Sequence, residues 1–303
     1  MKRILKTLLL LLMPLGAFGQ LTPFTNQYIL NPLSINPAYA GNREVMNIAA
    51  FYRKQWVGIK GSPETMSFAA DAPFNDDRMG LGLQVVNDKI GVTNETKINT
   101  DYSYKINMKR GILSFGLGAG IIMTNTAWSK LVHIDPEDNL NDTKIYVAPD
   151  FTFGAYYSSQ SWFAGFSIPR LLGYKFDTEK NKYVIKNSIG EYSYMFNTGY
   201  MFDLSPKLKF FPSALVVYSE STKLLYDINA HFRIMDRFWI GASYRNSRAI
   251  SGMFQFQVNN QLKLAYTYDF DFAKLRTFSS GSHEVMLRYE FRYKVEAVSP
   301  LNF

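Results

Sequence analysis

ILSFGLGAGIIM, residues 112–123, sets Leu113, Phe115, Leu117, Ala119, Ile121 and Met123 on one side, with Ser114, Gly116, Gly118 and Gly120 on most of the other. A side-chain period of two is that of a β-strand, where successive residues point to opposite faces. The alternation returns in LLYDINAHFRIMDRFWIGASYR, residues 224–245. There Tyr226, Ile228, Ala230, Phe232 and Ile234 face one way and Asp227, Asn229, His231 and Arg233 the other. After a turn at Met235 and Asp236, residues Phe238, Ile240, Ala242 and Tyr244 oppose Trp239, Gly241, Ser243 and Arg245. In a soluble sandwich the apolar face would be the core; in an outer-membrane barrel it would meet lipid while the polar face lined the lumen. The period alone does not separate the two.

Composition bears on the choice. The chain holds 24 Phe, 20 Tyr and 4 Trp, 16% aromatic, yet its mean hydropathy is only −0.13. Alternating strands, greasy on one side only, produce that combination. Residues 1–19 carry Lys2, Arg3 and Lys6 ahead of the apolar run 7–15, with small residues Ala17 and Gly19 before Gln20. This reads as a secretory signal peptide cut after Gly19. The apolar run is too short to span a bilayer as a helix, which needs roughly 20 residues, and no later window supplies such a run. Losing the three basic residues of that segment lowers the formal charge from +8 to +5, a mild surplus that calls for no nucleic-acid partner. With no Cys, neither a disulfide framework nor a thiolate metal site can form.

Fourteen candidate strands can be marked: 46–54, 64–71, 79–88, 93–107, 111–123, 145–158, 161–168, 190–202, 208–218, 223–234, 237–245, 249–257, 261–269 and 284–293. The number is even, as in closed bacterial single-chain barrels. The connections segregate by parity. The longest, near 124–144, 169–189 and 270–283, together with 55–63, fall on one end of the sheet, and the opposite end has only short links. Short periplasmic turns and longer extracellular loops make that pattern. The reading is therefore all-β: a transmembrane antiparallel β-barrel over 45–303, preceded by an N-terminal periplasmic segment over 20–44 whose Pro23, Pro32 and Pro37 do not suit a spanning strand. That segment suits an irregular docked arm, which either plugs the lumen or reaches a periplasmic partner. Tyr102, Tyr104, Tyr156, Tyr157, Tyr266, Tyr268, Tyr289, Phe291 and Tyr293 stand near strand ends, where interfacial girdles are expected.

Catalytic motifs are missing: there is no Gly-x-Ser-x-Gly, His-Glu-x-x-His or phosphate loop, and no cofactor is implied. His133, His231 and His283 lie far apart. DPEDNLND at 135–142 and DFD at 269–271 hint at calcium, but the first lacks the Gly and closing Glu of a calcium loop, and a solvated loop is favoured. The polar set Asp227, Asn229, His231 and Arg233 reads as lumen-lining.

Several blocks in order carry a resemblance: NPAYAG at 36–41, FYRKQWVG at 51–58, GSPET at 61–65, NDKIGVT at 87–93 and GSHEVMLRYEF at 281–291. Together they resemble the PorP/SprF family of the Bacteroidetes type IX secretion system, from the signal peptide to the C-terminus. The family pattern tends to finish SPRYF where this chain has SPLNF, so the resemblance does not carry over a periplasmic contact through that Arg. The resemblance implies no enzyme but an outer-membrane barrel set in lipid, supporting secretion and cell-surface anchoring of an adhesin-like protein through its gliding-type C-terminal signal domain. The other kind of member is a core component that contacts periplasmic ring and peptidoglycan-binding proteins. It marks Asn36, Pro37, Ala38, Tyr39, Ala40 and Gly41 as the family's N-terminal motif. With the N-terminus inside, the first strand would deliver Arg53, Lys54, Gln55 and Trp56 to the outer rim, making them with Lys60 and Glu64 a partner-binding surface; the same residues also suit generic anchors and turn formers. A porin-like channel is the competing class, and an exported glycan-binding sandwich the third.

Overall fold

The computed structural model describes residues 26–43, 45–74, 78–127, 129, 145–177, 182–185, 192–220, 223–246, 249–272 and 277–291. The expected signal peptide, residues 20–25, His133, the acidic run 135–142, Tyr293 and the terminal SPLNF lie outside these.

Fourteen strands close a barrel in which every neighbour pair is antiparallel. They are β1 (Met46–Lys54), β2 (Glu64–Phe74), β3 (Met79–Ile90), β4 (Thr93–Met108), β5 (Gly111–Thr126), β6 (Tyr146–Ser158), β7 (Trp162–Ile168), β10 (Tyr194–Tyr200), β12 (Leu208–Ser219), β13 (Lys223–Ile234), β14 (Phe238–Arg245), β15 (Ala249–Gln257), β16 (Leu262–Asp271) and β17 (Ser282–Phe291). Closure comes from β1 pairing with β17 and β10 pairing with both β7 and β12. Each matches one strand read from the sequence. The eighth is interrupted at Met201 and resumes as β11 (Phe202–Ser205) against β12. Inside the long connection expected over 169–189, β8 (Tyr174–Asp177) and β9 (Lys182–Ile185) form a separate hairpin. One end of the barrel has only tight links, such as 109–110, 206–207 and 235–237; the other carries 55–63, 127–145, 169–193 and 272–281.

The wall is inside out relative to a soluble protein. On β5, Leu117 is 61% exposed while Ser114 is fully buried; on β13, Ile228 is 56% exposed while His231 is fully buried. Large apolar side chains alternate outward along almost every strand, and the buried set is rich in Asn, Asp, Arg and Ser. Water would penalise that arrangement heavily; lipid outside and a polar bore inside reward it. Tyr102, Tyr104, Tyr266 and Phe291 face outward as girdle residues should, but Tyr156 does not. It is paired with Ser114 across β5 and β6, shares the inward face, and is buried in the bore.

The bore holds the chain's own N-terminal segment. Residues 26–43 form a strap made of a single helical turn, α1 (Gln27–Leu30), and two short 3-10 turns, Pro32–Ser34 and Pro37–Tyr39. Leu33, Ala38 and Ala40 of the strap are essentially inaccessible. Of the two places open to the 20–44 arm, the lumen and a periplasmic partner, residues 26–43 take the lumen. Proline spacing without periodicity excluded a strand, but it carried no information about what the arm would pack against.

Candidate functional site

The strap and the wall that holds it are the most elaborate feature of the interior. Near the long-loop end, Asn26 lies among ionised side chains. Its amide nitrogen donates to Asp269 Oδ1 at 2.7 Å and its backbone N–H to Glu284 Oε2 at 3.3 Å, while Arg245 Nη2 donates to Asn26 Oδ1 at 3.2 Å. Arg53 bridges both acids, 2.5 Å from Asp269 and 3.2 Å from Glu284. Arg245 in turn is bound to Asp227 at 2.9 Å, and Tyr28 donates to the same carboxylate at 3.2 Å. Asn229 closes the set by donating to the Tyr28 hydroxyl at 3.0 Å. These charges are buried from solvent, and each has an opposite partner, the condition under which buried ions are tolerated. Burial, with Asp227 adding to it, holds the Tyr28 phenol well above its ordinary value.

Midway, the Leu30 carbonyl accepts from Arg288 and from Arg43, the latter at 3.0 Å. Arg43 and Lys263 both pair with Glu290, at 3.2 and 2.7 Å. Toward the short-turn end the chemistry changes. Asn36 folds its side chain back to accept from Ala38 N at 3.0 Å and donates to the carbonyls of Ala155 and Phe166 at 3.0 and 3.2 Å. Ser103 donates to Ala40 O at 2.7 Å, Lys105 donates to Gly41 O, and Gly41 N donates to Asp71. Beneath the motif the wall is stripped to backbone. A Cβ added at Gly116 would collide with Pro37 and Ala38, one at Gly80 with Ala40, and one at Gly154 with Asn36. Gly41 itself has φ +64, and a Cβ there would meet Ala72, Pro73 and Gly80 at 2.9 Å. The glycine therefore serves two needs, a left-handed backbone and close approach.

Of the predicted residues, Asn36 to Gly41 sit in this groove, and Asp227, Asn229 and His231 face the bore, fully or almost fully buried. Arg233 also faces inward, near the short-turn end, with Asp236 2.9 Å away. Arg53 was placed on the rim as part of a partner-binding surface; that assignment is corrected. It is 2% exposed, because β1 points every second residue inward and Arg53 falls on the inward phase. The other rim residues remain accessible to different degrees. Lys54 pairs with Glu64 at 3.0 Å with both half exposed, and Lys60 is exposed. Trp56 has φ 46, and its indole donates to Asp271 at 2.9 Å, tying the 55–63 loop to the end of β16. The DFD stretch is thereby accounted for, Asp269 by Arg53 and Asp271 by Trp56. Among the described residues no three His, Cys, Asp or Glu converge as a metal site. Sequence reasoning missed Asn26, Tyr28, Arg245, Asp269, Glu284 and Arg288; the available signal was charge at inward positions on neighbouring strands.

A family model described as the type IX secretion system membrane protein PorP/SprF matches residues 17–289. The chain belongs to the PorP/SprF family. Residues 36–41, the PorP/SprF-like block that occupies the groove, lie within the match. No curated protein matches the sequence. Among solved structures, this PorP/SprF chain is similar to the CymD monoaromatic hydrocarbon channel, with TM-score 0.53 and 12% identity over 92% of this chain and 95% of that one. It is also similar to the toluene transporter TbuX of Ralstonia pickettii, with TM-score 0.51 and 10% identity over 89% and 94%. At such identity the likeness is one of fold, that of an outer-membrane barrel.

Proposed function

We propose that this barrel resides in the outer membrane after removal of residues 1–19, and supports secretion and surface anchoring of a partner protein bearing a gliding-type C-terminal signal domain. Family membership supports the secretion role. The observation that carries the protein-binding reading is the strap: a bore occupied along its length by buried, ion-paired chain is not laid out for free passage of solutes. Binding then falls to the two ends. The long-loop end offers Lys54 and Glu64 at the ends of β1 and β2, and Gln55, Trp56 and Lys60 on the 55–63 loop between them, which is anchored to residues 280–282 through Trp56 and Val57. Arg53 has no place in that surface.

The test is affinity capture of the tagged protein from native outer membranes, with mass spectrometry of what accompanies it. Recovery of one large secreted protein, lost when its C-terminal domain is deleted, supports anchoring. Recovery of periplasmic ring or peptidoglycan-binding proteins alone would make this a core component and overturn the anchoring role. A solute-channel reading has one observation in its favour, the fold it shares with hydrocarbon channels. Conductance of the unmodified protein in planar bilayers would bring that reading forward.

A further inference from the structure

Across the bore from the β1–β17 pair the wall departs from the polar rule. Tyr156, Phe163, Phe211 and Trp239, from β6, β7, β12 and β14, all point inward and form a continuous run of rings with Tyr39 of the strap. Centroid separations are 5.3 Å for Tyr39 and Tyr156, 5.7 Å for Tyr156 and Phe163, 6.0 Å for Phe163 and Phe211, and 5.7 Å for Phe211 and Trp239. A guanidinium caps each end, Arg43 5.8 Å over Tyr39 and Arg233 5.9 Å over Trp239. Between these rings and the strap residues Tyr28, Ile29 and Pro32 lies a cavity of about 160 Å³. Phe163, Phe211 and Trp239 are only partly buried, so their faces are left for something to cover. All three lie within the first few residues after tight turns, which puts the cavity at the short-turn mouth.

We infer that this cavity binds a single aromatic ring. Its volume suits one six-membered ring, since an apolar cavity of roughly 150 Å³ is enough to take up benzene. The walls supply stacked and edge-on faces at the separations aromatic groups prefer. Besides Asn197, Ser213 and Arg43, the polar groups on its lining are carried on rings: the hydroxyls of Tyr28, Tyr39 and Tyr156 and the Trp239 indole N–H, with the Tyr28 hydroxyl already engaged by Asp227 and Asn229. Most of the lining is ring face and aliphatic surface, which suits the apolar faces of an aromatic ring, whereas a sugar ring carries hydroxyls around its whole edge that would have to leave water. An aromatic ring with one hydroxyl or carbonyl substituent brings a single polar group. The ring can belong to a free small molecule or to a side chain of a peptide entering from the short-turn end.

The experiment uses the full chain in nanodiscs and p-cresol as the probe, followed by saturation-transfer NMR. Saturable binding is expected, weakened roughly tenfold or more by Phe211→Ala or Trp239→Ala, because each removes one ring contact and its buried area. Ser213→Met, which fills the cavity while keeping every ring, should abolish binding. Trp162→Ala removes an exposed outward ring at the same end and should change nothing. Competition by N-acetyl-Gly-Tyr-Gly-amide identifies a peptide-borne ring as an acceptable source; binding of p-cresol without such competition restricts the site to free molecules. Non-saturable uptake equal in all variants, or equal competition by glucose, would overturn the proposal.

Discussion

Asn26 and Tyr28 hang on charged side chains, whereas Pro37 to Ala40 lie on bare backbone, and charge returns only at Gly41 through Lys105 and Asp71: the two ends of one strap are held by different physics. At the charged end, Arg53 and Arg245 are shared among three carboxylates and the strap's polar groups. Such a contact is strong only while every partner is present, because each charge has been stripped of water. At the glycine end the strap is held by fit. Backbone meets backbone over Gly80 and Gly116, with Asn36 supplying the hydrogen bonds its own turn leaves open. Charge can be rearranged by pH or by a competing ion, but shape cannot. The comparison teaches that the charged end is the one suited to release and the glycine end the one suited to permanence.

The largest effect is expected where shape is violated. Gly116→Leu puts a branched side chain where Pro37 and Ala38 now sit, and the collision is with backbone that cannot turn aside. Overpacking typically costs about 1–3 kcal/mol when neighbours can shift, and more when they cannot. The strap's lower half should leave the groove while the closed wall persists, so conductance in planar bilayers should appear and residues 36–41 should become open to protease. An unaltered, non-conducting barrel would show that the groove is not what holds the strap.

Next in size is Arg245→Ala. Asp227 would lose its ion pair at 1% exposure and Asn26 a donor. Breaking a buried pair from one side costs about 3–5 kcal/mol, and replacing both members with apolar residues of similar bulk recovers much of it. Thermal unfolding should therefore fall steeply for Arg245→Ala and much less for Arg245→Met combined with Asp227→Leu. Equal losses in both would mean that the pair itself, and not the orphaned charge, carries the stability.

A graded effect separates the two ends by pH. The Tyr28 phenol is held well above its ordinary value by burial and by Asp227. Its contribution is complete below the unfolded value of about 10 and is lost as pH rises toward the folded one, since the unfolded chain ionises first. Alkaline solution should loosen Asn26 to Leu30 before Asn36 to Gly41, seen as proteolysis beginning at the α1 end. Tyr28→Phe should remove that pH dependence. Simultaneous loosening of both ends would deny them separate origins.

Much of the wall was legible and most of its contents were not, for one physical reason. Lipid on one side and a polar bore on the other impose a period of two along each strand, and residues 112–123 display it without any knowledge of their neighbours. The same rule assigned Asp227, Asn229 and His231 to the inward face. Carried to the strand ends, the same period turns Arg53 inward and Tyr156 away from the girdle. What Arg53 touches is another matter: its partners are 216 and 231 residues away in sequence. The glycines of β5 read as a small-residue face, but only the strap explains why the face is small. Contacts between a non-periodic arm and fourteen strands leave no local pattern to read.

The smallest expected effect tests the corrected rim. Arg53 and Lys54 are adjacent in sequence, yet one is sealed among carboxylates and the other shares a half-exposed contact with Glu64. Surface pairs of that kind are worth about 0–1 kcal/mol, so Lys54→Ala should leave thermal unfolding nearly unchanged. If the long-loop end docks a partner, Lys54→Ala with Lys60→Ala should lower capture of that partner at constant barrel level. Arg53→Ala would instead lower both together, because it removes the cation between Asp269 and Glu284 beside the strap. Equal behaviour of the two variants would erase the distinction between rim and latch, and with it the claim that the strap's charged end is part of the barrel's internal support and not of its outer surface.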